Sequence, residues 1–224
     1  KGAIFLKYKA VIFDLDGTLL DTLQDLADSM NHVLESEGLP IHETEKYRYF
    51  VGNGAYNLVK RSLPPDKQEE SYIRYCQTLF KKEYGKRWAD TTKPYEGIPE
   101  LLDKLTDLGF KLAVLSNKPH EATLLVVNKL LPNWTFDAVF GEREGVPRKP
   151  DPAGALEISQ LFGIPTNEFI YFGDTSTDMV TAKAAEMFAV GVLWGFRTAD
   201  ELMDNGADLI IEKPLDIFKF IQTE

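Results

Sequence analysis

Apolar and polar positions along the chain follow two different rhythms. A buried-type run, Ala10–Phe13, is long enough for one interior strand and is continuously apolar, as strands of covered parallel sheets are. With the residues before it, this run predicts a first strand over 1–14. Residues 15–20 then read as a turn. From Leu23 the rhythm changes: Leu23, Leu26, Ala27, Met30, Val33 and Leu34 recur at helical spacing, and Gly38 and Pro40 stop that helix. Residues 43–50 predict a short helix, Ala55 to Leu63 another, and Lys67 to Tyr84 a long one. The stretch 22–92 is therefore expected to hold helices and no strand.

Beyond the Pro- and Gly-rich segment Thr92–Pro99 the pattern alternates strand and helix. The expected elements are helix 99–108, strand 110–115, helix 120–131 and strand 136–140. After the loop 141–150 come helix 152–162, strand 168–172, helix 176–185 and strand 188–193. Helix 198–205, strand 208–211 and helix 214–221 close the chain. Such alternation predicts an α/β class, a Rossmann-like parallel sheet core covered by helices. The expected organisation is a core of 1–20 and 94–224 with an inserted all-helical cap of 21–93.

Chemistry enters at the strand ends. Right-handed crossovers bring the loops after parallel strands to one edge of the sheet, where open α/β sheets bind ligands. The first strand ends in Asp14-Leu15-Asp16-Gly17-Thr18, the second in Ser116-Asn117, and the fourth in Gly173-Asp174 with Asp178 four residues on. Lys149 precedes Pro150 in the loop that opens a helix. Each piece alone has a plain reading: an acidic turn, a serine in a turn, a solvated loop charge, a helix cap. Together they gather four carboxylates, a hydroxyl and a lysine at one edge, a donor set suited to a hard cation such as Mg²⁺.

These four stretches resemble the signatures of the haloacid dehalogenase superfamily of hydrolases, and the likeness runs the whole length, the helical cap included. Gly191–Arg197, Pro94–Gly97 and Val51–Gly54 further resemble its phosphoglycolate phosphatase branch. One departure is Glu186, where that branch usually has glycine after Ala184-Ala185. The resemblance implies a phosphoric monoester hydrolase whose covalent intermediate is an aspartyl-phosphate.

Residue chemistry points the same way. Asp14 is the expected nucleophile, and Asp16 the general acid and then base. The dehalogenase members, by the same resemblance, lack that second acid. Mg²⁺ is expected on Asp14, the Asp16 backbone carbonyl and Asp174, with Asp178 either a ligand through water or, as favoured, an orienting group behind them. Lys149 supplies positive charge. Ser116, Asn117 and the backbone around Gly17 and Thr18 supply donors to the phosphate. The cap is expected to be a lid hinged at 20–22 and 94–97. Arg48, Asn53 and Lys60 are candidates for a substrate's anionic tail, each also readable as a plain surface residue. Lys46 or Lys60 would be needed for a Schiff-base chemistry that nothing else marks.

Composition narrows the partners. The chain has 224 residues, 44% hydrophobic, enough for one sizeable core with an insert. Net charge is -10 with no basic stripe, which argues against nucleic acid. No apolar run nears the roughly 20 residues that span a bilayer, and Ala3–Leu6 is too short for a signal-peptide core. The single cysteine, Cys76, allows no internal disulfide and fits a cytoplasmic setting. With His32, His42 and His120 scattered, Cys76 is expected to be structural.

The expected function is a Mg²⁺-dependent phosphatase of a small phosphorylated metabolite, phosphoglycolate first. The alternatives are a sugar-phosphate mutase of the beta-phosphoglucomutase type and an idle binding protein on the same fold. Monomer and homodimer are equally compatible.

Overall fold

The computed structural model describes residues 7–221. The first six residues of the expected strand 1–14 and the last three of the chain lie outside the described residues. The chain divides into two compact units, one running to Leu19 and resuming at Pro94, the other Leu20–Lys93.

The first unit is built on β1 (Ala10–Phe13), whose four side chains are all fully buried. Past it, β2 (Leu20–Asp21) and β3 (Lys93–Pro94) form a two-stranded ribbon where the chain passes between the units. The rest of the sheet is β4 (Lys111–Pro119), β5 (Ala138–Glu142), β6 (Phe169–Gly173), β7 (Phe188–Val192) and β8 (Leu209–Ile211). The order is β5-β4-β1-β6-β7-β8, parallel throughout. β1 is thus central, and the chain turns to opposite sides of it, the arrangement that opens a crevice at the carboxyl ends of the strands.

Register decides what meets there. Phe13 lies opposite Val114 on one side and Phe172 on the other. The next residue, Asp14, therefore emerges beside Leu115-Ser116 and Gly173-Asp174, and its N–H still donates to the Phe172 carbonyl at 3.0 Å. Side chains alternate faces along a strand. Ala10 and Ile12 join Ala113, Tyr171 and the helix residues Ile158, Met179 and Ala182 in one core. Phe13 stacks on Phe172 at 5.0 Å between ring centres.

The second unit holds α1 (Leu23–Ser36), α2 (Tyr47–Phe50), α3 (Gly54–Ser62) and α4 (Glu70–Arg87), and no strand interrupts 22–92. α1 and α3 both pack on α4. Buried Asp25 ties the start of α1 to the segment after α4. Its carboxylate accepts the N–H and hydroxyl of both Thr91 and Thr92 at 2.6–3.1 Å. Burial pushes the Asp25 carboxyl up, and those bonds outweigh it and hold it below its usual value.

The first unit adds α5 (Ile98–Asp107), α6 (His120–Leu130), α7 (Ala153–Phe162), α8 (Ser176–Ala184) and α9 (Ala199–Asp204). Among the described residues, no helix is long and apolar enough to cross a membrane.

Three expectations are corrected. β4 continues through Ser116, Asn117 and Lys118 rather than stopping at 115, because these polar residues are buried at the head of the sheet and not in a solvated turn. The long cap helix starts at Glu70, after a separate 3₁₀ turn at Pro65–Lys67, because the extended backbone of Glu69 interrupts the helical path between them. The closing helix 214–221 is a 3₁₀ segment, Pro214–Lys219.

Glu186 explains its own oddity. It follows α8 with φ 56°, in the left-handed region. Its N–H donates to the Lys183 carbonyl at 3.1 Å and that of Met187 to Ala182 at 2.9 Å, the paired bonds that close a helix around a left-handed residue. A side chain there costs roughly 1–2 kcal/mol, part of which glycine's extra chain entropy returns. Glu186→Gly is expected to raise unfolding stability by about 1 kcal/mol in urea denaturation, with activity unchanged.

Candidate active site

Asp14 stands one residue past β1 and is almost fully buried. One carboxylate oxygen accepts the Leu15 N–H at 2.7 Å and the Lys149 ammonium at 2.9 Å. Lys149 arrives from the loop before α7, where the Asn117 side-chain amide holds its carbonyl at 3.0 Å. The same ammonium lies 2.7 Å from Asp178. Asp178 sits in the first turn of α8, where its second oxygen accepts the Thr175 N–H and hydroxyl at 3.1 and 2.6 Å, a capping box. Both its oxygens are thus engaged.

Asp174 follows β6 and is fully buried. One oxygen accepts the Thr18 hydroxyl at 3.0 Å, the other the Phe196 N–H at 2.8 Å. Gly17, at φ 90°, and Gly195 pack so closely that a Cβ on either would collide with the Asp174 side chain. Asp14, Asp174 and Asp178 can present one oxygen each within 4.8 Å of one another, a group able to hold a metal ion.

Electrostatics follow from the count of charges. Three buried carboxylates share one buried ammonium. Burial alone would push the Lys149 ammonium down, but Asp14 and Asp178 outweigh it and hold it well above its usual value. Burial, then Asp178, push the Asp14 carboxyl well up against the pull of Lys149. Burial and Asp178 push Asp174 up to about 7, opposed by the Phe196 N–H, the Thr18 hydroxyl and Arg197. A divalent cation among these oxygens would supply the charge that the cluster lacks.

Asp16 lies apart from that group. Its two oxygens face the Lys118 ammonium at 2.9 and 3.1 Å. Ser116 accepts the Lys118 N–H on its hydroxyl at 3.1 Å. Thr18, expected among the phosphate donors, has its N–H on the Leu15 carbonyl at 3.3 Å and its hydroxyl on Asp174. Its carbonyl accepts the Trp194 indole N–H at 2.9 Å. In the helical unit Arg48 pairs with Glu45 at 2.6 Å, Asn53 accepts from Arg61 at 2.8 Å, and Lys46 and Lys60 are exposed. Cys76 is buried, and burial pushes its thiol up.

Sequence reasoning assigned no part to Lys118 or to the Trp194–Phe196 segment. No local signal marked Lys118, because the strand was expected to end at 115 and the pairing of β4 with β5 is irregular between Leu115 and Pro119.

The sequence profile described as haloacid dehalogenase-like hydrolase matches residues 11–192. The chain belongs to the haloacid dehalogenase-like hydrolase family. Two relatives named phosphoglycolate phosphatase are similar over nearly their full lengths. That of Aquifex aeolicus is 30% identical over 213 residues, covering 95% of this chain and 96% of its own. That of Nitrosospira multiformis is 32% identical over 220 residues, 97% of each. A crystal structure of a candidate phosphoglycolate phosphatase from Lactobacillus delbrueckii subsp. bulgaricus superposes with a TM-score of 0.91 at 33% identity, covering 98% of this chain and 100% of that one. The enzyme class expected from the sequence, a phosphoric monoester hydrolase, is the class these relatives are named for.

Two tests follow from the packing and charge of this family member's acid cluster. In chelator, folded Asp174 keeps its proton up to about pH 7, whereas the unfolded chain releases it near 3.8. The unfolded state then binds fewer protons, so stability falls as pH rises between those values. Asp174→Asn is expected to flatten the loss of urea stability between pH 5 and 7; an unchanged slope contradicts it. Gly195→Ala is expected to lower stability by about 1–3 kcal/mol through overpacking against Asp174 and Gly17, read in the same denaturation experiment.

Proposed function

We propose that this hydrolase cleaves a small phosphate monoester, phosphoglycolate being the first candidate, through an aspartyl-phosphate on Asp14. The observation that carries this reading is Lys149, whose ammonium joins Asp14 to Asp178 within 2.9 Å at the end of the central strand, beside Asp174. A carboxylate meeting a phosphate dianion needs positive charge on both sides, and Lys149 provides one. The oxygen-only donor set fits Mg²⁺, which Asp14, Asp174 and the Asp16 carbonyl would hold. When bound, the ion offsets charge on the phosphate and on Asp14.

The residues divide the work. An Asp14 oxygen attacks phosphorus, and the bond to the leaving oxygen breaks. Protonated Asp16 gives its proton to that oxygen. The resulting Asp16 carboxylate then takes a proton from water as the water oxygen attacks phosphorus. The Asp14–phosphorus bond breaks, inorganic phosphate departs, and Asp16 is again protonated. Ser116 and Asn117 donate to the phosphate oxygens, and Asp178 keeps Lys149 in place. The helical unit is the lid that chooses the substrate, and the relatives' shared name supports phosphoglycolate as the first compound to try.

The test is phosphate release over a panel of phosphorylated metabolites, with Mg²⁺ and with chelator, beside acid-quench labelling. Wild type is expected to release phosphate without a bisphosphate activator and to lose turnover in chelator. A requirement for the activator would indicate a mutase; no turnover on any compound would indicate a binding protein. Asp14→Asn is expected to show no labelled aspartate. Asp16→Asn is expected to keep Mg²⁺ binding and lose about 10²–10⁴-fold in rate.

A further inference from the structure

The acids at the head of the sheet are served by two different lysines. Lys149 joins Asp14 and Asp178, while Lys118 meets both oxygens of Asp16 at 2.9 and 3.1 Å. The Lys118 side chain is only 6% exposed and that of Asp16 13%. A lysine so enclosed loses its hydration and is stable only with its charge partner in place.

The backbone of Lys118 is hydrogen-bonded through both its N–H and its carbonyl. It lies in β4, its N–H donates to the Ser116 hydroxyl at 3.1 Å, and its carbonyl accepts the Thr123 hydroxyl at 3.2 Å. β5 passes so close that a Cβ on Gly141 would collide with that carbonyl. The pairing of β4 with β5 shifts register between Leu115 and Pro119. Asp16 is a single bridge residue within the turn after β1, just before Gly17, whose φ of 90° is open to few other residues. The Asp16 carboxylate is oriented by the Lys118 ammonium, which meets both its oxygens.

We propose that Lys118 is a positioning residue for Asp16: it holds that carboxylate where proton transfer to the leaving oxygen and from water takes place. It acts through Asp16 and not by touching the substrate. This rests on the proton-transfer part of the proposed function, and it assigns to Lys118 a task separate from the charge supplied by Lys149.

The test is a double-mutant cycle of Lys118→Met with Asp16→Asn, assayed on an alkyl phosphate and on p-nitrophenyl phosphate. Lys118→Met keeps the stem length and removes the ammonium. It is expected to lower kcat on the alkyl substrate by about 10–100-fold, a part of the general acid–base contribution, with KM nearly unchanged. In the Asp16→Asn background the same change is expected to cost almost nothing further, because residues acting as a unit are not additive. On the nitrophenyl ester, whose leaving group needs no proton, phosphorylation of Asp14 is expected to persist. Labelled aspartyl-phosphate then accumulates, since its hydrolysis still needs Asp16. Lys118→Arg, which keeps a donor to the carboxylate, is expected to recover part of kcat, and it carries the cycle if the Met variant does not fold.

A full, additive loss in the Asp16→Asn background with a raised KM would show that Lys118 touches substrate and overturn the inference alone. Wild-type kcat in Lys118→Met overturns it as well. Normal turnover of Asp16→Asn overturns the proton-transfer reading itself, and the inference with it.

Discussion

The structure depends on an excess of buried negative charge at the head of the central strand. Asp14, Asp174 and Asp178 are each within reach of the others, and one ammonium, that of Lys149, stands among them. Like charges removed from water repel strongly, and the carboxyls of Asp14 and Asp174 hold their protons more tightly than usual. The surrounding protein does not dilute this charge. It fixes it, giving each oxygen of Asp174 and Asp178 a specific donor. A cluster held this way could hold a metal ion.

Packing supports the charge arrangement through close backbone approach. Gly17, Gly173 and Gly195 each lie where a Cβ would strike Asp174 or Asp178. Trp194 reaches across to the Thr18 carbonyl, so the loop after β7 closes on the turn after β1 from the far side of Asp174. The loop after β7 thus orients an acid that belongs to another strand. This links the residues that resemble the phosphoglycolate phosphatase branch, Gly191–Arg197, to the acid cluster through hydrogen bonds.

Legibility differed sharply between elements. Ala10–Phe13 was plain as an interior strand because its apolar run is unbroken, and Asp14 was plain as a strand-end acid. Glu186 was visible as an anomaly, and its left-handed φ accounts for it. The end of β4 was misread because Ser116, Asn117 and Lys118 are residue types common in turns. The extended backbone there goes with burial and with the contact of Lys118 to Asp16, which lies far away in the chain. The break between Pro65–Lys67 and α4 was missed because helical periodicity is blind to a change of helix type over one turn.

The sequence by itself determined the alternation of strands and helices, the strand-free stretch 22–92, and the placing of acids, hydroxyl and lysine at one edge of a parallel sheet. Those properties follow from local periodicity and from the handedness of crossovers, both written along neighbouring residues. Tertiary structure decided which cation serves which acid. Lys118 and Asp16 are 102 positions apart, and Thr18 and Asp174 are 156 apart. Such pairs form only when register brings distant strand ends side by side, and burial then makes each polar atom find a partner. Residue type shows that a lysine needs an acid; only the packed sheet selects the acid.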